Sequence, residues 1–491
     1  MHTHLVDDGR SGLPQRGRGT LLISAVVAAL GSLLFGFDTA VISGTTEALE
    51  AGYVAEITER IAPLVLDPKG ETYADDVAKL RKFMLGFTVA SALIGTMFGS
   101  LLVGRPSDWW GRRPVLALLA VLFTVSAIGC ALAWDWLSLV LFRWLGGVAV
   151  GGASVVSPMY ITEIAPAKRR GVLVAVSQLN IVLGILAAYF SNYLVAAILG
   201  ADHPAAWRWM FGIMALPSAA FLLTAMLIPE SPRWLVKRGR REEAEQVLAR
   251  FGHEAPGAEA AEIADSLQAE IHGTQQRLFQ RKYLKPLLLA FLVAAFNQLD
   301  GINAVIYYTA DIFRMAGASK TSALLQSVII GLTNLVMTLA AMALIDRLGR
   351  KTLLLAGSVT FVFSHALAAW VFSTGAQGWI VIAAMMGIVG SHAYSQGAVV
   401  WVYINEILPN AIRASGAAAI CFMLWVLCAA VSWLFPFVAK FSAAGPFAFF
   451  ALMMILQFFL VLKYLPETKG RSLEELQREL GIQETAGSAQ R

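Results

Sequence analysis

Long apolar runs alternate with shorter polar or charged stretches along almost the whole chain. Twelve runs stand out, at about residues 20–44, 83–104, 114–133, 137–160, 172–199, 207–228, 286–313, 322–345, 352–372, 378–404, 411–434 and 444–465, with boundaries good to a few residues. Helices over these runs are long enough to cross a hydrocarbon core of roughly 30 Å. The pattern predicts an all-α membrane protein with twelve transmembrane helices. The junctions carry a charge alternation. Arg10, Arg16 and Arg18 precede the first run, Arg105, Arg112 and Arg113 follow the second, and Lys168-Arg169-Arg170 follows the fourth. Arg347, Arg350 and Lys351 follow the eighth run, and Arg413 follows the tenth. The loop from Thr46 to Lys82 instead carries Glu47, Glu50, Glu56, Asp67, Asp75 and Asp76. Basic loops stay on the cytoplasmic side, so both termini are expected there and the acidic loop outside.

The break from Glu230 to Lys285 is long and charged, yet Ala244, Val247, Leu248 and Phe251 fall at helical spacing, as do Ile263, Leu267 and Ile271. These predict short amphipathic helices at the cytoplasmic face rather than an independent domain. The organisation expected is a cytoplasmic N-terminal segment 1–19, a six-helix bundle 20–229, a linker 230–285, a second bundle 286–466 and a cytoplasmic tail 467–491.

Composition agrees. Of 491 residues, 57% are hydrophobic and 14% charged, against about 25% charged in a soluble protein. The net charge of +5 does not imply nucleic acid, because the cations sit at membrane ends where they set topology. Cys130, Cys421 and Cys428 lie inside apolar runs, so neither a disulfide nor a metal site is expected. The first run is too long for a cleaved signal segment. No nucleophile–base arrangement, metal motif or phosphate loop appears, so neither enzymatic chemistry nor a cofactor is expected.

The seventh run carries the most unusual chemistry. It contains Asn297-Gln298-Leu299-Asp300-Gly301-Ile302-Asn303-Ala304-Val305-Ile306-Tyr307-Tyr308. Polar groups at membrane depth are costly unless they face a partner, a cavity or water. Gln298 and Asn303 would lie about 140° apart on an ideal helix, with Gly301 between them. Local unwinding at Gly301 would let both amides meet one neutral, hydroxyl-rich ligand, as in broken transporter helices. The other reading is hydrogen bonding between helices. An acid, Asp38, lies in the first run and a base, Arg143, in the fourth. Either alone costs roughly 2.5–3.5 kcal/mol at bilayer centre, and pairing offsets much of it.

The halves repeat. Asp108-Trp109-Trp110-Gly111-Arg112-Arg113 matches Asp346-Arg347-Leu348-Gly349-Arg350-Lys351, Glu163-Ile164-Ala165-Pro166 matches Glu406-Ile407-Leu408-Pro409, and Pro229-Glu230 matches Pro466-Glu467. The offsets, 238, 243 and 237 residues, are close enough to imply two parallel six-helix repeats.

The chain resembles the sugar porter family of the major facilitator superfamily, over essentially its whole length. The resemblance rests on Gly36-Phe37-Asp38-Thr39-Ala40-Val41-Ile42-Ser43-Gly44, Arg143 with Gly146-Gly147, and Pro229-Glu230-Ser231-Pro232-Arg233-Trp234. Gly301-Ile302-Asn303, both Asp-x-x-Gly-Arg loops and Pro466-Glu467-Thr468-Lys469-Gly470 complete it. The pattern is most like the bacterial xylose–proton symporter branch. The resemblance implies two pseudo-symmetric bundles, alternating access and a sugar held between them. Its sugar contacts fall on Gln178, Gln298, Asn303, Tyr307, Asn334, Trp401 and Trp425, with Asn297 where the family has a glutamine. Amides donate and accept at once, and indoles offer a flat apolar face with one donor. For Trp401 and Trp425 alone, ordinary packing is an equal reading.

Other positions depart from that branch. Ile185 and Leu424 stand where it has amides, Ala398 follows Gly397 where Gly-Pro implies a sharper bend, Met214 replaces an acid, and Asp300 replaces a small residue. The resemblance assigns Asp38 and Arg143 to proton coupling; a permanent structural pair is the other reading. Burial disfavours the charged carboxylate and a close guanidinium favours it, so a contact that changes between states can take up and release a proton. The charges Asp108, Arg112, Glu163, Arg169, Glu230, Arg233, Asp346, Arg350, Glu406, Arg413 and Glu467 are expected to form a cytoplasmic network bridging the halves; topology and solvation alone are the alternative. The function expected is proton-coupled import of a neutral monosaccharide of xylose or glucose type. The chain would be a monomer in the bacterial inner membrane, its partners the sugar, the proton and the lipid bilayer. A passive uniporter and a non-transporting sugar sensor are the alternatives.

Overall fold

A hydrocarbon core offers the backbone no water, so each apolar run closes its hydrogen bonds within a helix. The structure, a computed structural model, describes residues 15–166, 170–272, 278–409, 411–471 and 473–480. The first half comprises α1 (Gln15–Val41), α2 (Tyr73–Leu102), α3 (Arg112–Leu132), α4 (Trp136–Ile164), α5 (Arg170–Leu199) and α6 (Ala206–Ala225). Short helices α7 (Pro232–Lys237), α8 (Arg241–Arg250) and α9 (Pro256–His272) follow. The second half begins with a broken crossing, α10 (Leu284–Leu299), α11 (Ile302–Tyr307) and α12 (Thr309–Met315). It continues with α13 (Lys320–Leu348), α14 (Arg350–Thr374), α15 (Trp379–Tyr394), α16 (Gln396–Ile407), α17 (Arg413–Phe441) and α18 (Gly445–Tyr464), and α19 (Leu473–Glu479) lies beyond.

Eleven helical stretches among the described residues are long and apolar enough to cross a membrane. The remaining expected crossing is split between α15 and α16 at Ser395, whose φ is −113° and ψ −86°. The break therefore forms with alanine, not proline, at position 398.

The repeat seen in the motifs is a repeat of packing. In each half the first crossing lies against the fifth, the second against the fourth and the third against the sixth. Glycine permits the closest of these approaches. A Cβ at Gly36 would lie 1.8 Å from the carbonyl oxygen of Ile181, and one at Gly147 would lie 1.8 Å from that of Ala92, so small residues let the backbones touch. The linker behaves as its spacing predicts. Ala244, Val247, Leu248 and Phe251 are buried, with α8 against α1 and α7 against α4.

The halves meet through α2 with α17 and α5 with α13. Their polar contacts lie at the end remote from the chain termini, here the loop end. Trp433 Nε1 donates to the carbonyl of Phe83 at 3.2 Å, and Tyr189 Oη donates to that of Ile306 at 2.8 Å. Ser43 Oγ accepts the Ala310 N–H at 3.1 Å. Lys320 reaches Glu47 at 3.1 Å and Asp202 at 2.5 Å, and Arg314 pairs with Glu47. Toward the terminal end of α5, residues from Val174 to Val176 and from Gln178 to Asn180 are half-exposed. The described polar contacts between the halves thus close the loop end.

This closure needs Gly86, whose Cβ would stand 1.9 Å from the Trp433 carbonyl. G86W is expected to hold the halves apart there. Spin labels at positions 75 and 440 should report a longer, broader distance than in the native protein. An unchanged distribution would show that α2 and α17 close without this contact.

Candidate functional site

The seventh crossing turns at Gly301, which adopts φ +76° and ψ 5°, a left-handed conformation that favours glycine. A side chain here would also collide with the Phe450 ring, whose nearest carbon would lie 2.4 Å from its Cβ. The corner brings together what an ideal helix would separate. Asn303 Nδ2 donates to Gln298 Oε1 at 2.7 Å, and Gln298 Nε2 donates to Asn297 Oδ1 at 2.8 Å. Gln298 is 2% exposed and Asn297 9%, so these amides face protein rather than lipid. Tyr307 is buried on α11, which packs against α1 of the other half. Its neighbour Tyr308 is a structural phenol, donating to the carbonyl of Ser432 at 3.0 Å.

The remaining resemblance-derived contacts divide into two groups. Asn334 and Trp425 are buried. Asn334 accepts from Thr338 at 3.5 Å, and Trp425 lies 5.8 Å from the Phe35 ring with its Nε1 unpartnered among the described residues. Gln178 is half-buried on α5, which packs on the helix that bears Asn334. Trp401, by contrast, is 42% exposed on α16 and stands apart from the buried set.

Asp38 and Arg143 do meet. Arg143 Nη1 donates to Asp38 Oδ1 at 3.0 Å, with both residues buried. The contact is a single bond. Arg143 Nε and Nη2 have no partner among the described residues, and the guanidinium carbon lies 5.7 Å from the Phe211 ring centroid. A bidentate pair would be stronger and more fixed.

A second buried pair lies in the other half. Asp300 Oδ2 bonds His392 Nδ1 at 2.8 Å, while Oδ1 accepts the Ile302 N–H at 2.9 Å. His365 Nε2 meets the Asp300 carbonyl at 2.9 Å. Asp300 is conspicuous in the sequence, but nothing there connects it to histidines 65 and 92 positions away.

At the terminal end, the repeated motifs build two matching clusters. Arg112 grips Glu163 through Nε at 2.9 Å and Nη2 at 2.8 Å, Ser231 Oγ donates to Glu163 at 2.6 Å, and the Arg112 N–H donates to Glu230 at 2.9 Å. Arg350 grips Glu406 at 3.2 and 2.9 Å, Thr468 Oγ1 donates to Glu406 at 2.6 Å, and the Arg350 N–H donates to Glu467 at 2.9 Å. Burial holds the Glu230 carboxyl above its ordinary range against its backbone donors. Burial also pulls Glu467 upward, but four backbone N–H groups outweigh it and hold that carboxyl below the ordinary range. Asp108 bonds Arg112 at 3.3 Å and Lys237 at 3.0 Å, Arg233 reaches Ser266 at 3.4 Å, and Arg413 donates to the Leu408 carbonyl at 3.2 Å. Arg169 and the Asp346 side chain lie outside the described residues. These contacts join residues within a half or to the linker. The bridge expected between halves is not among these contacts of the described residues.

Two repeated bundles, with uncharged hydrogen-bonding groups on the broken seventh helix, define a membrane carrier of the major facilitator type. The chain belongs to the sugar transporter family, matching "Sugar (and other) transporter" over residues 24–480. It is 37% identical to the D-xylose-proton symporter of Escherichia coli K12 over 484 residues, covering 92% of this chain and 94% of that protein. It is 35% identical to the arabinose-proton symporter of Bacillus subtilis, covering 94% and 95%. The inward-open structure of the Escherichia coli xylose transporter XylE is similar with a TM-score of 0.80 and 35% identity, covering 94% of this chain and 99% of that one.

Removing one partner of a buried ion pair costs about 3–5 kcal/mol. E163Q removes the two-pronged charged partner of Arg112, which is 5% exposed, and leaves it only the longer charged contact to Asp108. It should lower the thermal midpoint of the detergent-purified protein well below that of K237Q, whose parent side chain is 47% exposed. Equal midpoints would assign the Arg112–Glu163 cluster no stabilising role.

Proposed function

We propose that the protein imports a neutral monosaccharide, of xylose or glucose type, together with a proton. In this reading the sugar lies between the halves, 20–229 and 286–466, with both chain termini in the cytoplasm of a bacterial cell. Asn297, Gln298 and Asn303 lead its recognition, with Gln178, Tyr307, Asn334 and Trp425 around them. Trp401 enters the site when the crevice closes over the sugar. The amide triplet at the Gly301 corner, with Asn297 and Gln298 buried and Asn303 half-buried, carries this reading. Its groups satisfy one another in the empty carrier and can exchange those bonds for vicinal hydroxyls without leaving any polar group unpaired.

Asp38 takes up the proton. Its single bond to Arg143 is the contact that changes between protonation states. One proton moving across 100 mV yields about 2.3 kcal/mol, enough for roughly fifty-fold accumulation at about 1.4 kcal/mol per decade. When the loop end opens, Glu163 and Glu406 reach across the terminal end to close it, and the carrier acts as a monomer.

Q298A should weaken sugar binding about tenfold or more, because losing a buried hydrogen-bond partner costs roughly 1–3 kcal/mol. Calorimetry against a panel of neutral sugars reads this directly, and unchanged affinity would remove Gln298 from the site. D38N should keep sugar exchange in proteoliposomes but lose uptake against a gradient. Concentrative uptake that survives in D38N, or that survives an uncoupler in the native protein, would reject Asp38-dependent symport.

A further inference from the structure

We infer that Asp300 and His392 form a second proton-binding site, separate from Asp38 and linked to sugar affinity through the two helix breaks of the second half. The geometry places the pair at both breaks at once. Asp300 immediately precedes Gly301, and its Oδ1 takes the free N–H of Ile302 at the start of α11, the helix that presents Asn303 and Tyr307. His392 lies three residues before Ser395, where the tenth crossing breaks before α16. The 2.8 Å bond between Oδ2 and Nδ1 is therefore a tie between the two corners. The Asn303–Gln298 bond of 2.7 Å sits on the same turn of chain.

The proton count follows from the surroundings. The Asp300 side chain is fully buried, whereas the His392 side chain keeps 18% of its surface open. One proton on the pair makes it neutral overall, either as carboxylate with imidazolium or as acid with imidazole. Loss of that proton leaves a net negative charge in the interior, which is costly without a compensating cation. No neighbour among the described residues supplies one. The His365 Nε2 faces the Asp300 carbonyl and so carries the hydrogen, while its Nδ1 is buried and unpartnered among the described residues; a second proton there would create an unpaired buried charge. From α17 the Cys428 thiol faces Asp300, and from α18 the Phe450 ring covers Gly301. Of the two side chains, His392 is the one that reaches the protein surface. With the proton bound, the two breaks stay tied and the amide corner is held; without it, the tie loosens. The link to affinity rests on the sugar-binding role proposed above, but the proton site does not.

The test uses full-length protein in proteoliposomes, in a D38N background that removes the other carboxyl. D300N keeps an acceptor for Ile302 and a hydrogen bond to His392, and H392Q keeps a polar group at the break, so both variants should remain folded and monodisperse. First, sugar-free infrared difference spectra are recorded across a pH titration. D38N should show a carboxyl or imidazole band that titrates, and D38N/D300N and D38N/H392Q should both lack it. A titration absent from D38N, or persisting in both double variants, overturns the site. Second, D-xylose and D-glucose affinities are measured by calorimetry across the same range. Affinity in D38N should fall as pH rises through the titration, by up to about tenfold per pH unit, the ceiling for one linked proton, and D300N should flatten it. Affinity independent of pH beside a titrating band overturns the linkage. A titrating band in a protein that binds neither these sugars nor any other in the panel supports the site and rejects the sugar reading instead.

Discussion

A hydrocarbon core leaves polar groups with only one another, and this constraint organises the molecule. The three polar clusters at depth each solve it differently. Asn297, Gln298 and Asn303 satisfy amide with amide. Asp38 is neutralised by Arg143 from a helix 105 positions on. Asp300 is bonded by His392 and by the Ile302 N–H. Each solution is complete enough to be tolerated and loose enough to be exchanged. The amides hold nothing that a sugar hydroxyl cannot replace, and Arg143 retains two nitrogens with no partner among the described residues. A core of fully committed pairs would be more rigid, and would have nothing to offer a solute that arrives from one side and leaves from the other.

Movement also requires that each half remain one body. Close backbone contacts at Gly36 and Gly147 knit α1 to α5 and α2 to α4 inside the first half, and the Arg112 and Arg350 clusters lock the terminal ends of their own halves. Exposed ion pairs contribute only about 0–1 kcal/mol each. Among the contacts between halves at the loop end, Lys320 with Asp202 is of that exposed kind, whereas the Tyr189–Ile306 and Ser43–Ala310 hydrogen bonds are buried. The buried ion pairs of Arg112 and Arg143 therefore lie within a half and the more exposed ones of Lys320 between halves, a distribution that suits rigid-body rocking.

Much of this was legible in the chain. The apolar runs marked the crossings, because hydrocarbon demands long helices and the demand is local in sequence. The corner at Gly301 was legible for the same reason: glycine between two amides five residues apart is a local signal. The motif repeat put Arg112, Glu163 and Glu230 at positions that match Arg350, Glu406 and Glu467, but the network expected from it was one that bridged the halves. Two kinds of information were not local. His392 has no feature of its own that marks it, and only the packing of α11 against α15 gives it Asp300. The partners of Glu163 and Glu406 were not local either, because the same charge pattern fits both a bridge between halves and a pair of separate clusters. The exposure of Trp401 belongs to this class as well.

The halves repeat in packing but differ in how they hold their buried acid. In the first half the acid faces a guanidinium, which stays charged at every accessible pH. In the second it faces an imidazole, which exists with or without a second ring proton. A fixed cation leaves only the carboxyl able to exchange a proton, which is the basis of the coupling role proposed for Asp38. A titrating partner shares one proton with its acid, so Asp300 and His392 respond as a unit. The repeated fold thus supplies two equivalent scaffolds, and one substitution of partner chemistry is enough to leave the proton to the acid alone in one half and to share it between acid and partner in the other. That difference follows from the side chains alone and does not require any departure from the shared arrangement of helices.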